Sequence, residues 1–502
     1  MVGIMGKKKS AARKDAPPPQ LVLPAEGLFR SVTAVHLSSS IEQRTASALS
    51  LLEGVATETL AFAANAPTNV QTQVSRILSV VQKPVVDVLQ LRAIVLSAGL
   101  PCPRFCAPSL RALVWKLLLG VLPAVRSEWV PQLDEKRKIY QQYVMDLVHE
   151  PEQVSHLRLG VVKESPEDGP VPRRPAEDHP LALVDSPSRW RRYWSDQEVF
   201  DQVNKDVYRT RPGVDFFAQT GDSRTKQVTP RGNAVTLSVL ETDNVSTSPK
   251  RHAFKVANIV SPKTHYDRMG RILFLYSKLN CGYVQGMNEI LAPIYYALYH
   301  DVLEGHFVEA DAFWALTVVM TEQRDIFCKN MDDSTLGMYG RLEVIQTLLA
   351  REDPQVSSHL SKIGVKMDFF ALRWIMLLFA QEFDISAIQV LWDAIFSDLN
   401  PGSQLAGSRD SLLVNYVAVA MIRKVRNVLL DGDFGDAMRS LKQYPPFDPK
   451  EIIQEALKMR KGGDVTSVIS AELQTASPQV TKKKSLSSRL ISFVRRKPKN
   501  ID

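Results

Sequence analysis

An all-α body with flexible, basic ends is the architecture this sequence predicts. Three observations predict it. Apolar residues recur at helical spacing through most of the chain between residues 39 and 460. No run alternates apolar and polar residues over the length of a strand, and no segment repeats at a fixed period. Proline and glycine gather into a few polar stretches that separate the periodic ones.

Taken in order, residues 1–38 read as a disordered leader. They hold Lys7-Lys8-Lys9 and Pro17-Pro18-Pro19 and no apolar segment of the kind a signal peptide needs. Residues 39–66 read as an Ala- and Leu-rich helix, with Ser39 or Ser40 as N-cap and Pro67 as its stop. We assign 39–74 as an N-terminal helical extension and 75–460 as the main domain. Val70, Val74, Ile77, Leu78 and Val81 share one helical face. Leu110 to Leu122 is a strongly apolar helix, and Asp134 to Val148 a polar, amphipathic one.

Residues 151–190 carry Pro166, Pro170, Pro172, Pro175 and Pro180 among scattered charges and read as a surface insert. Helix resumes over Arg192 to Tyr208. A second polar insert covers 211–250. Nine further helices are expected at 252–260, 264–279, 287–300, 309–328, 336–350, 368–383, 386–396, 409–430 and 448–459. Residues 461–502 read as a linker and a basic tail.

Composition excludes several classes. The chain has 502 residues, 45% hydrophobic and 23% charged, which is ordinary for a globular protein. Its longest apolar candidate for a membrane span, Phe369 to Ala380, has 12 residues and contains Arg373, short of the roughly 18 a span requires. The formal charge of +8 sits in the ends. Residues 1–20 contribute +4 and residues 482–502 contribute +7, so the body between them is −3. A nucleic-acid binder needs a basic face on the fold itself. Basic ends suit an anionic membrane surface instead, and 7–14 and 482–499 are the stretches expected to meet one. In the second, Leu486, Leu490, Phe493 and Val494 fall on one helical face beside Arg489, Arg495 and Arg496. A disordered solubilising tail is the other reading of that stretch. Met5-Gly6-Lys7-Lys8-Lys9-Ser10 matches a myristoylation pattern that could act only if translation began at Met5.

Four cysteines in so long a chain point to a reducing compartment, and a cytoplasmic location is expected. Cys102 and Cys106 are spaced C-x-x-x-C, but no second Cys or His pair lies near them. A turn with two partly buried thiols accounts for them better than zinc. No phosphate loop, no G-x-G-x-x-G after a strand, no H-E-x-x-H and no G-x-S-x-G is present. The chain is therefore not expected to bind a nucleotide, metal or other cofactor alone, nor to hold an active site for a small-molecule substrate.

Two short strings carry the chemistry: Asp206-Val207-Tyr208-Arg209-Thr210 and Gly282-Tyr283-Val284-Gln285-Gly286-Met287-Asn288. Neither arginine nor glutamine titrates near neutral pH, so both are poor nucleophiles, bases or metal ligands. They can present fixed donors to a developing negative charge and orient a water molecule, which are the two needs of GTP hydrolysis on a GTPase. Taken singly, each has a plainer reading. An arginine near a helix end usually forms a salt bridge or meets the helix dipole, and most glutamines in turns cap or solvate. The two are 76 positions apart, so no local geometry joins them.

Three segments in order resemble the TBC family, the GTPase-activating proteins of Rab GTPases. Arg111-Ala-Leu-Val-Trp115 resembles the family's R-x-x-x-W. Val203-Asn-Lys-Asp206-Val-Tyr-Arg209 resembles I-x-x-D-x-x-R, with valine in place of isoleucine, and Tyr283-Val-Gln285 resembles Y-x-Q. Phe370-Ala-Leu-Arg-Trp374, Gln381-Glu382-Phe383 and Leu391-Trp392-Asp393 are similar to the family's C-terminal helices. Each motif alone is loose, whereas six in order between residues 111 and 393 are specific. The wording is closest to a branch of nearly pure TBC domains with an insert between the Arg and Gln motifs, which 211–250 fits.

The resemblance implies an all-α, two-lobed domain of about 14–16 helices. It implies a Rab GTPase as partner, with GTP and Mg²⁺ belonging to that partner, and a role in vesicle traffic. Arg209 would neutralise charge on the transferred phosphoryl group and Gln285 would hold the attacking water. Asp206 would orient Arg209 or the backbone near it. Arg111, Trp115, Tyr283 and Asn288 would support the site, the first two by bracing it without touching phosphate. The competing readings are a non-catalytic TBC scaffold and an unrelated helical adaptor. The intact Arg209 and Gln285 weigh against the first.

Overall fold

The computed structural model describes residues 41–102, 104–148, 189–219, 262–280, 282–327, 338–399 and 412–462. The expectations for the two ends, for most of the 151–190 and 211–250 inserts, for the 252–260 helix and for the Ser39/Ser40 cap lie outside them.

The described residues are helical, with no strand among them; a single isolated bridge joins Val85 and Val125. The order is α1 (Ile41–Ala63), α2 (Thr68–Val81), α3 (Val88–Ala98), α4 (Pro108–Leu118), α5 (Trp129–Leu147), α6 (Arg189–Val207), α7 (His265–Leu279), α8 (Met287–Tyr299) and α9 (Val308–Glu322). There follow α10 (Arg324–Phe327), α11 (Met338–Glu352), α12 (Pro354–Lys362), α13 (Ala371–Met376), α14 (Ile385–Asp398), α15 (Leu413–Lys424), α16 (Arg426–Asp431), α17 (Phe434–Lys442) and α18 (Pro449–Gly462). None of the described helices is long and apolar enough to cross a membrane.

Local chemistry explains where the helices begin. Asp87, Asp353, Asp384 and Asp433 each accept a backbone N–H in the first turn of the helix that follows. Thr264 and Asp267 form a reciprocal capping box at the start of α7. Pro108 and Pro354 stand in the first turn of α4 and α12, where a missing N–H costs nothing.

One apolar core runs from Leu52 in α1 to Met459 in α18. Helices α4, α8, α14 and α15 are buried on almost every face, so they form its centre. α8 packs against α4, α7, α9 and α14. The rings of Trp115, Trp392 and Phe396 meet where α4 crosses α14, with Trp115 and Phe396 edge to face at 5.0 Å. The expected boundary at 74/75 falls inside α2, and α1 shares this same core through Leu52, Val55 and Ala63.

Three long helices expected from the sequence are broken. The 309–328 segment divides at Gln323 and the 409–430 segment divides at Val425. The 368–383 segment is a single 3₁₀ turn followed by α13, which ends at Met376. Leu378 and Phe379 then take φ of 48° and 63°, in the left-handed region. Apolar periodicity continues through these residues, but burial on the core decides the backbone. Trp392 Nε1 donates to Leu378 O at 2.8 Å, and Phe379 N to Trp374 O at 2.7 Å. The short helices α12 and α17 went unread because each is brief and carries a single buried apolar pair at i, i+4, Val356 with Leu360 and Ala437 with Leu441.

Candidate functional site

The first of the two strings closes α6. Val203 and Val207 are buried and fasten the helix to the core, while its last turn tightens. Arg209 N donates to Asp206 O at 3.0 Å and Thr210 N to Val207 O at 3.0 Å. Arg209 thus lies in the turn beyond the helix. Thr210 is fully buried, with its hydroxyl on Asp206 O at 3.0 Å and its carbonyl accepting from Tyr266 Oη at 2.9 Å. The turn buries Thr210 and exposes Arg209, whose side chain has no partner among the described residues.

The second string enters α8. Gly282 and Gly286 take φ of 94° and 105°. At Gly286 the requirement is double, because a Cβ would stand 2.6 Å from Leu377 Cδ2. Between them Tyr283 points inward, and Gln285 points outward. Gln285 is exposed and, like Arg209, has no side-chain partner among the described residues.

Three side chains sew the two loops together. Tyr283 Oη lies 2.9 Å from Asp206 Oδ2 and 3.2 Å from Asn288 Oδ1. Asn288 Nδ2 donates to Thr210 Oγ1 at 2.8 Å and to Asp206 O at 3.4 Å, while its Oδ1 accepts from Gly286 N at 3.1 Å. Burial, reinforced by the Asp206 carboxylate, pushes the Tyr283 phenol far above its usual range, so it stays a donor. Asp206 therefore acts on Arg209 through the backbone carbonyl, and its carboxylate engages Tyr283. Asn288 is 5% exposed and touches both loops, which makes it the central member of the group.

Arg111 and Trp115 lie elsewhere, inside the core. Both converge on Asp393 of α14: Arg111 Nε and Nη2 donate at 3.2 Å to its two oxygens, and Trp115 Nε1 donates to Oδ1 at 2.8 Å. Burial pushes the Asp393 carboxyl up, against the opposing pull of Arg111 and Trp115. Arg111 also reaches Pro101 O and Gln389 Oε1, so its donors are engaged and turned away from solvent. The pair locks α4 to α14, the two helices that flank α8.

Sequence reasoning passed over Thr210, Arg211 and Asp393 as participants. Asp393 was visible only as part of a motif, since nothing local marks a carboxylate as the shared acceptor of two residues 278 and 282 positions away. Cys102 and Cys106 are free thiols in a turn, with Cys106 N on Cys102 O at 3.0 Å, and burial raises the Cys106 thiol to about 11. No cluster of His, Cys, Asp or Glu among the described residues could hold a metal ion.

Chemically, the two outward-facing groups of the site are neither nucleophile nor base. The site offers a permanently charged guanidinium and a neutral amide, both outward-facing, on two loops tied at their roots.

Comparisons with known proteins show the family and the fold. The Rab-GTPase-TBC domain matches residues 233–430, a span that contains Gln285 and begins after Arg209. TBC1 domain family member 13 of Homo sapiens is 33% identical over 416 residues, covering 78% of this chain and 98% of that protein. GTPase-activating protein GYP7 of Yarrowia lipolytica is 24% identical over 241 residues, or 48% of this chain and 27% of that protein. Among solved structures, the Ypt/Rab-GAP domain of Gyp1p superposes with a TM-score of 0.52 at 18% identity, covering 78% of this chain and 98% of that one, which shows a shared fold.

Proposed function

The chain belongs to the Rab-GTPase-TBC family, and from that premise we propose that it is a Rab GTPase-activating protein that completes the Rab active site in trans with Arg209 and Gln285. The observation that carries this reading is the pairing of two exposed side chains, neither with a partner among the described residues, on loops joined through Asp206, Tyr283 and Asn288. A residue kept only for stability would be buried or paired, as Arg111 is.

In phosphoryl transfer the protein does little covalent chemistry, and catalysis is positioning plus stabilisation of spread negative charge. The Arg209 guanidinium brings a fixed positive fork to the γ-phosphoryl oxygens and the bridging oxygen. The Gln285 amide has both an acceptor for a water O–H and a donor for a phosphoryl oxygen, so it aims the water in line. GTP and Mg²⁺ come with the Rab. An arginine finger of this kind contributes about 10³–10⁵ in rate, or about 4–7 kcal/mol of barrier. The basic stretches 7–14 and 482–499 are proposed to hold the protein at an anionic membrane where Rabs reside, a point for liposome flotation of end-truncated protein.

Single-turnover hydrolysis with a panel of GTP-loaded Rabs tests the reading. At least one Rab should respond, Arg209→Ala should abolish the response without changing unfolding, and a Rab whose own catalytic glutamine is replaced by leucine should still respond. Loss of activity on that Rab removes Gln285 from its role. A full panel that ignores the wild-type protein leaves the non-catalytic scaffold as the better description.

A further inference from the structure

Arg211 stands two residues beyond Arg209 and does the opposite of it. Its side chain turns inward and is mostly buried. Nη1 donates to Phe383 O at 2.6 Å, Nη2 donates to Ala380 O, and Nε lies 3.6 Å from Glu289 Oε2 in the first turn of α8. One guanidinium thus joins the Arg209 loop, the helix that follows Gln285, and the turn after α13.

That turn also receives the second loop. Gly286 presses on Leu377 so closely that no Cβ fits between them. The helical ladder stops with α13 at Met376, and the left-handed residues Leu378 and Phe379 turn the chain so that the Ala380 and Phe383 carbonyls meet Arg211. The backbone of Arg211 is itself unusual. A residue before proline favours extended backbone, yet Arg211 precedes Pro212 with φ of 50°. Such a conformation persists only where the surroundings over-determine it, and the contacts of the guanidinium do so.

Resting on the activator function proposed above, we infer that Arg211 is a positioning residue that clamps both finger loops onto the Leu377–Phe383 turn. It touches no phosphate. It sets where Arg209 and Gln285 stand relative to each other, because both loops are referred to one seat. A lysine cannot reproduce this role, since a single ammonium lacks the planar fork that spans two carbonyls.

The test uses the full chain carrying Arg211→Met, Arg211→Lys or no substitution. Hydrogen exchange reads the clamp directly and needs no partner. Arg211→Met should speed exchange at the amides of 206–211 and 283–289 while the helices of the core keep wild-type protection. In single-turnover hydrolysis on a Rab that the wild type accelerates, the maximal rate should fall about 10²-fold. The half-saturating protein concentration should stay within about twofold, as expected when transition-state contacts alone are lost. Arg211→Lys should fall between the two. Unchanged exchange in both loops overturns the clamp, and so does faster exchange throughout the core, which would mark a merely structural residue. Faster loop exchange with a wild-type rate overturns the positioning role. If no Rab responds to the wild type, the activator reading fails, and the exchange measurement still decides the clamp.

Discussion

Asn288→Ala tests the joint between the Arg209 and Gln285 loops. The side chain donates to Thr210 Oγ1 and Asp206 O and accepts from Gly286 N. Two of its partners survive the loss: Thr210 Oγ1 keeps Asp206 O, and Tyr283 Oη keeps Asp206 Oδ2. The Gly286 N–H does not, and Gly286 is buried. Three neutral hydrogen bonds at about 1 kcal/mol each, weighted by the single orphaned donor, put the expected loss at about 2–3 kcal/mol of folding stability. The effect on activity should be of similar size for a different reason. With Asn288 gone, the only side-chain bond between the loops in this group is Tyr283 to Asp206. A reacting geometry displaced by about 1 Å costs about 10² in rate, equivalent to about 2.7 kcal/mol of barrier. Urea unfolding measures the first term and single-turnover GTP hydrolysis at saturating protein the second. The Thr210→Val change and the double variant complete a cycle, in which residues in direct contact should couple by about 0.5–3 kcal/mol. A variant that loses the stability but hydrolyses at the wild-type rate refutes the reasoning: the joint would then hold the fold and not the fingers.

Three other outcomes follow from the same structure. Asp393→Ala leaves the buried Arg111 guanidinium uncompensated and should cost about 3–5 kcal/mol in chemical unfolding, whereas replacing both partners by apolar residues should recover most of it. Gly286→Ala adds a Cβ 2.6 Å from Leu377 Cδ2 at a φ of 105°, so hydrolysis should collapse and the melting temperature drop; an active, stable variant would show that the loop has another conformation. Asp311 is buried, which alone would raise its carboxyl, but Lys116 and Arg137 outweigh burial and hold it below the ordinary aspartate range. A lowered folded pKa means stability that is present above about pH 4 and lost as pH falls through the folded value. Asp311→Asn should therefore flatten the acid limb of a plot of unfolding free energy against pH, while an unaltered limb would assign acid lability to other carboxylates.

Helix positions were legible because their cause is local. Val74, Ile77, Leu78 and Val81 repeat at helical spacing and are buried together in α2. The breaks at Gln323, at Val425 and after Met376 were not legible, because the apolar pattern runs through all three. What ends α13 is a tryptophan of the next helix, 14 positions on, bonding Leu378 O, and nothing in the apolar pattern announces that contact. The same holds at the site. Arg209 and Gln285 were recognised by residue type and by the order of their motifs. Thr210 and Arg211 carry no such signal, since a threonine and an arginine after a helix are ordinary on any surface.

By itself the sequence determined the helical class and the basic ends on a mildly acidic body. These follow from residue type and near-neighbour spacing, which are present before folding. Only the tertiary structure decided that Asp206 meets Tyr283 across 77 positions, that Asn288 bridges both loops, and that Arg111 and Arg211 turn inward while Arg209 turns out. An arginine's identity fixes its charge and its fork of donors. Whether those donors meet a carboxylate, a pair of carbonyls or solvent depends on which distant backbone lies within reach, and that is settled by how the core packs.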